Sequence, residues 1–186
     1  TAVQPGNLSF PAATPVTRKL IINKAPVTIT ADNKSKTYGA DNPTLTVTYS
    51  GLRSGETASV IDTPPQITTS AISTSNAGTY AIIPSGAADD HYSFSSYTNG
   101  TLTINKATLT ATADNKARIY GNLNPLFTIS YSGFKLADTP SVIDAQPTGS
   151  TTAGLASDVG YYPINLTGGS DNNCLLYTSP SPRDAT

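Results

Sequence analysis

The chain has one cysteine, no methionine and no tryptophan among its 186 residues. A lone Cys174 forms no internal disulfide, so the fold must rest on its own core and ladders. Charge is scarce and balanced, with 11 Lys and Arg against 12 Asp and Glu. No basic stripe is there to hold nucleic acid or an anionic surface, and neither is expected as a partner. No apolar run approaches the roughly 20 residues that span a bilayer, so no membrane insertion is expected in this segment. Thr1 lies in a polar stretch without the pattern of a secretory leader, and the chain reads as a piece of a longer one.

What the sequence does contain is itself, twice. The run from Ala31 to Pro43, with Asp32-Asn33-Lys34 and Tyr38-Gly39 inside it, returns from Ala113 to Pro125 at an offset of 82 residues (113 − 31). From Lys106 to Asn173 the second copy holds register without insertion or deletion, and about 30 of roughly 68 positions are identical. The length is therefore divided into small modules. Residues 1–22 read as the last strands of a preceding module, with Val16–Ile22 as a final strand. Residues 23–104 form the first repeat and 105–173 the second, which is truncated. Residues 174–186 match nothing in the first copy. With Pro180 and Pro182 they read as a disordered or artefactual tail.

Alternation identifies the strands. Val27, Ile29 and Ala31 alternate with threonines, as do Leu109, Ala111 and Ala113 in the second copy. Leu45, Val47 and Tyr49 alternate likewise, matched by Phe127, Ile129 and Tyr131. Two copies that agree in period but differ in residue mark these faces as core. A short helical turn is expected at Ala58–Ile61 and Pro140–Ile143, where Thr139-Pro140 places a cap residue before proline. A weak strand follows near Gln66, and another starts at Gly78 with Tyr80 and Ile82 inward. A hairpin through Asn99-Gly100 is expected to join Tyr92–Phe94 to Leu102–Ile104. The fold class is mainly β: tandem small modules with one helical turn each. A β-grasp-like sheet is preferred, marked by parallel neighbouring of residues 27–31 and 101–104. An immunoglobulin-like sandwich is the alternative.

Ile22-Asn23-Lys24-Ala25, Thr30-Ala31-Asp32-Asn33-Lys34, Thr37-Tyr38-Gly39, Asn42-Pro43, Thr48-Tyr49-Ser50-Gly51, Gly78-Thr79-Tyr80 and Asn99-Gly100-Thr101-Leu102-Thr103-Ile104 together resemble the MBG/YDG-type repeats of large bacterial surface adhesins. Within residues 1–22, the stretch Gly6-Asn7-Leu8-Ser9-Phe10-Pro11-Ala12-Ala13-Thr14-Pro15-Val16-Thr17-Arg18 resembles the C-terminal end of a bacterial immunoglobulin-like repeat. The resemblance implies an extracellular, tandemly arrayed, non-enzymatic module. It names no ligand. A Thr, Ser, Gly and Asn-rich chain with few charges and no disulfide fits the same location, a bacterial cell surface.

Candidate chemistry is thin. His91 has Asp89 and Asp90 beside it, but the second copy has Asn173 in its place, and no nucleophile elbow is present. No catalytic residue and no cofactor is expected. The acidic residues Asp89, Asp90 and Asp171 lack the spacing of a calcium loop, and no metal is expected. Tyr38 and Tyr120, Tyr49 and Tyr131, Tyr80 and Tyr162 recur at core-like spacing and read as core anchors rather than sugar platforms. Lys24 with Asn33, and Lys106 with Asn115, are candidates for a lysine–asparagine amide crosslink beside a buried acid.

The structural motif is Tyr38, Gly39, Asn42 and Pro43, repeated as Tyr120, Gly121, Asn124 and Pro125. The tyrosine is expected to plug the core, the glycine to turn the backbone and Asn-Pro to launch the next strand. Lys34, Lys36, Lys116 and Arg118 form a candidate contact loop beside it. The expected role is a semi-rigid stalk or spacer whose partners are its neighbouring repeats. The alternative is an adhesion module that recognises a glycan or a surface protein through such loops.

Overall fold

The computed structural model describes residues 5–7, 9, 11, 14 and 16–179. Among these the chain is mainly β. The first module comprises β1 (Ala25–Ala31), β2 (Lys34–Thr37), β3 (Val47–Ser50), β4 (Gln66–Thr69), β5 (Gly78–Ser85), β6 (Tyr92–Thr98) and β7 (Gly100–Asn105). A single 3-10 turn, Ala58–Val60, lies between β3 and β4. The second module comprises β8 (Ala107–Ala113), β9 (Ile129–Ser132), a 3-10 turn at Pro140–Val142, β10 (Thr148–Ser150), β11 (Asn165–Thr167) and β12 (Cys174–Ser179).

The strands of the first module divide between two sheets, in the orders β3-β1-β6 and β2-β7-β5-β4. β1 runs parallel to β6, with Ala25 opposite Tyr92 and Thr30 opposite Thr98. The β-grasp marker, β1 beside β7, is not met. β7 instead lies parallel to β2, with Lys34 opposite Leu102. The arrangement is thus two sheets sharing a core. Ala31 and Val47 of one sheet meet Ile82, Leu102, Ile104 and Ile67 of the other. The side chains alternate as the sequence requires: Val27, Ile29 and Ala31 are buried, and Ile29 is wholly so. Val27 and Ile29 each contribute on the order of 1.5–3 kcal/mol. Each 3-10 turn delivers the residue after it, Ile61 or Ile143, into the core.

The expected Asn99-Gly100 hairpin is not formed. β6 continues into β7 with only Asn99 between, and the two strands belong to different sheets. β1 continues into β2 in the same way across Asp32-Asn33. The two chains pass side by side from one sheet to the other, so the conspicuous Asp-Asn-Lys motif is a corner. Asn33 Oδ1 accepts the Thr101 N–H at 2.7 Å, and the Asp32 N–H donates to the Thr46 carbonyl at 2.9 Å. The Thr46 hydroxyl donates to the Asp32 carboxylate. Gly100 is required by contact: a Cβ there would lie 2.6 Å from the Ala31 carbonyl oxygen and 2.9 Å from that of Asp32. The turn propensity of Asn-Gly is local, and this crossing of strands overrides it.

The second module repeats the first sheet as β12-β8-β9. β12 pairs with β8 as β6 does with β1, Cys174 opposite Ala107. The tail reading of residues 174–186 is therefore corrected for its first part. Cys174–Ser179 has lost the sequence of β6 but keeps its pairing, with Cys174 buried and Leu176 half-buried. Residues 180–186 lie outside the described residues. β1 carries an irregularity between Pro26 and Thr28, where proline has no N–H for the ladder. β8 has Thr108 in that place and an unbroken register. Of the second sheet, only the pair β10-β11 is formed among the described residues.

The final strand expected over Val16–Ile22 is not found. Leu20, Ile21 and Ile22 are 89%, 73% and 88% exposed, and no ladder partner faces them among the described residues. Most of the earlier positions assigned to a preceding module lie outside the described residues.

The corner makes a specific demand on residue 100. Gly100→Val should lower the unfolding free energy by about 2 kcal/mol, read as a lower denaturant midpoint at unchanged slope. An unchanged midpoint would mean that the close passage of β7 over the end of β1 is not what requires glycine.

Candidate functional site

The conspicuous feature of the surface is the place where the modules meet. Only Lys106 separates β7 from β8. Ile104 before it and Ala107 after it, 2% and 0% exposed, belong to one hydrophobic cluster. That cluster also joins Tyr38, Ala71, Ile82 and Leu102 of the first module to Leu109, Ile143 and Cys174 of the second. The link is held sideways as well: Lys106 Nζ donates to the Asp171 carbonyl at 2.7 Å. Lys24 makes the same bond to Asp89 in the first module, also at 2.7 Å.

Tyr38 is the key of this junction. It is 7% exposed, and its hydroxyl donates to Asp138 Oδ2 at 3.1 Å across the boundary. Burial, the hydrogen bond to Asp138 and that carboxylate's charge together raise the phenol's pKa, so it stays a donor. Gly39 has φ +80°, and a Cβ there would sit 2.6 Å from Lys135 Cβ. Glycine therefore serves both the turn and the approach of the loop to Lys135. A second strap runs beside it: the Ala77 N–H donates to Asn173 Oδ1 at 2.9 Å, and Asn173 Nδ2 donates to Asn76 Oδ1 at 3.2 Å.

The same motif behaves differently in the second copy. Tyr120 is 62% exposed, and no atom lies within 4 Å of a Cβ built on Gly121, whose φ is +84°. The backbone turn is common to both copies, but the burial of Tyr38 is supplied by the following module. Tyr38 thus plugs a core cluster that includes residues of both modules, whereas Tyr120 does not.

The asparagine of Asn-Pro has a role that does recur. Asn42 Nδ2 donates to the Ala71 carbonyl at 2.6 Å, and Asn124 Nδ2 to the Ala153 carbonyl at 2.7 Å. Pro43 and Pro125 are half-buried ahead of β3 and β9. The asparagine thus holds the loop after β4 and its counterpart.

The candidate contact loop is also reassigned. Lys34–Thr37 is strand β2, and Lys36 is only 7% exposed. Its ammonium donates to the carbonyls of Ala40 at 2.9 Å and Ile72 at 2.8 Å. A buried cation is tolerated there because two of its three donors meet carbonyls. Arg118 reaches the equivalent carbonyl of Gly154, and its Nε donates to Asn124 Oδ1 at 2.7 Å. Positive charge persists at this position because it ties the following loop, a packing role. Lys34 is half-buried and Lys116 is exposed.

Among the described residues nothing else assembles into a chemical centre. His91 is exposed on its side chain and 4.0 Å from Asp89. Burial opposes ionisation of Asp89, but N–H bonds from His91, Tyr92 and Asp62 outweigh it and hold the carboxyl below its usual range. Those donors suit an anion, so this carboxylate organises a turn rather than a cation site. Burial, then Asp171, pushes the Cys174 thiol up to about 11, away from thiolate reactivity. Among the described residues no cluster of metal-ligating side chains is present. Lys24 and Asn33 lie beyond opposite ends of β1, whose seven residues alone extend over roughly 23 Å, which removes the crosslink.

The model of the MBG domain (YGX type) family matches residues 27–103 and again 109–179. The chain belongs to that family, as two tandem domains. Tyr38-Gly39-Ala40 and Tyr120-Gly121-Asn122 read as the Tyr-Gly-X of that description. Neither a curated relative nor a solved structure matches the chain.

Sequence reasoning found the Tyr-Gly side of the junction and missed its receiving side, Lys135–Asp138 and Asn173. The available signal was the acid retained at Glu56 and Asp138 and the cation retained at Arg53 and Lys135. The junction separates the two tyrosines experimentally. Tyr38→Ala should cost roughly 3 kcal/mol of unfolding free energy, and Tyr120→Ala no more than about 0.5 kcal/mol, by thermal or denaturant unfolding. Equal costs would place the tyrosine's packing within its own module.

Proposed function

We propose that this chain is a stalk segment of a bacterial surface adhesin. It is extracellular and non-catalytic, and each module's working partner is its neighbour. The observation that supports this reading is the junction itself: a one-residue link, a hydrophobic cluster continuous across it, and Tyr38 clamped on Asp138. A flexible linker lets neighbouring domains reorient, whereas this link leaves little slack. Modules joined head to tail in this way propagate as a quasi-one-dimensional array, each contacting only the next. The mechanism is mechanical: the array holds a distal part of the polypeptide away from the cell at a defined distance. No helix among the described residues is long and apolar enough to cross a membrane.

The adhesion-module reading relied on the Lys-rich loop as its contact surface. With Lys36 buried and Arg118 engaged by Gly154 and Asn124, that surface is reduced. The stalk reading is the one the geometry favours.

Small-angle X-ray scattering of the chain should give the profile of one elongated particle, unchanged in shape between low and high salt. A profile fitted only by two freely jointed bodies would contradict the stalk.

A further inference from the structure

The base of each module is built from the same positions, and the two modules close it with different tyrosines. In the first module Val27, Ile61 and Tyr92 form a cluster of their own, with Ala25 packed against it. Their second-copy counterparts are Leu109, Ile143, Cys174 and Ala107, and all of them lie in the cluster that spans the junction. Where the first module has Tyr92 from its own β6, the second has only the short Cys174 of β12. Tyr38 of the neighbouring module enters that cluster instead. The three side chains are buried alike: Tyr92 is 5% exposed, Tyr38 7% and Cys174 4%.

The two phenols also share a target. The Tyr92 hydroxyl donates to the Glu56 carboxylate and accepts the Arg53 N–H at 3.0 Å. The second-copy counterpart of Glu56 is Asp138, whose carboxylate takes the Tyr38 hydroxyl at 3.1 Å. Each acid therefore holds one buried phenol, from within the module in one case and from across the boundary in the other. The backbone would bring a tyrosine at 174 to the same place. Cys174 stands opposite Ala107 in a parallel ladder, as Tyr92 stands opposite Ala25. A close-packed base has room for one such ring and not for two.

We propose that the residue at positions 92 and 174 decides which tyrosine closes a module's base, and so whether its junction is clamped. A tyrosine there closes the base from within and occupies the acid. A short residue leaves room for the Tyr-Gly tyrosine of the preceding module, which then ties the two modules together. Cys174 acts here through its small size, and its thiol chemistry plays no part. Joint stiffness along an array is thus set at one position in each module. The inference rests on the clamped junction of the stalk reading and goes beyond it by naming what admits the clamp.

The test is a double-mutant cycle on the full chain. Tyr38→Ala should raise the unfolding equilibrium constant roughly a hundredfold in the unaltered chain and in Cys174→Ala. In Cys174→Tyr it should raise it less than about fivefold, because the two tyrosines compete for one space. Nitration by tetranitromethane, mapped by peptide mass, reads the exchange directly. Tyr38 should be protected in the unaltered chain and in Cys174→Ala. In Cys174→Tyr it should react about as fast as the exposed Tyr120. If Cys174→Tyr does not fold, Cys174→Tyr with Asp138→Glu reproduces the pair of the first module and is measured in its place. An equal cost of Tyr38→Ala with and without the new tyrosine, or a Tyr38 still protected beside it, would overturn this inference alone. No cost in the unaltered chain would overturn it together with the clamped junction. Failure of both tyrosine variants to fold would also overturn it, because the space beside Asp138 would then not take a phenol from its own module.

Discussion

Ile104 and Ala107 point into one core from either side of a single linking residue. Most of what distinguishes this chain from two beads on a string follows from that constraint. Apolar burial has no direction of its own, but here it is shared by two sheets from different modules. The shared cluster brings the Tyr38 loop against Lys135–Asp138, and the Tyr38–Asp138 bond then fixes the angle of approach. Lys106 cannot swing, because its ammonium is tied to the Asp171 carbonyl. The junction is small, yet its parts act along different directions.

Within a module, the corner has the corresponding role. Two strands change sheets side by side, and each needs a way to turn without leaving backbone groups unpaired. Asn33 caps the Thr101 N–H, the Asp32 N–H bonds to Thr46, and Gly100 allows the close passage. In the second module Asp114 repeats its part, accepting from the hydroxyls of Thr128 and Ser130 at 2.5 and 2.6 Å. Those hydroxyl bonds lower its pKa despite some burial. The corner therefore begins correctly in both copies. It is completed among the described residues only in the first, where β7 is present.

Much of this was legible from residues alone. The 82-residue offset divided the chain, and the alternation of Val27, Ile29 and Ala31 marked a buried face. Thr139-Pro140 placed a helical turn where one lies. Failures came where a distant partner decided the outcome. Asn99-Gly100 carries a strong local turn signal, but the carbonyls of Ala31 and Asp32 determine what passes there. Lys36 looks solvated in sequence, and only the fold brings the Ala40 and Ile72 carbonyls to it. Tyr38 and Tyr120 are identical in sequence, and Tyr38 is buried where residues of the second module meet it. Cys174–Ser179 kept its pairing after losing its resemblance, because a strand beside β8 needs only backbone and a few apolar side chains.

The Tyr38 junction holds the two modules in one relative orientation. Residual dipolar couplings of backbone amides, measured on the weakly aligned chain, test it most directly. Couplings from residues 25–105 and 107–179 should fit a single alignment tensor of common magnitude and axes, and Tyr38→Ala should split that tensor into two. Two tensors of different magnitude in the unaltered chain would contradict it.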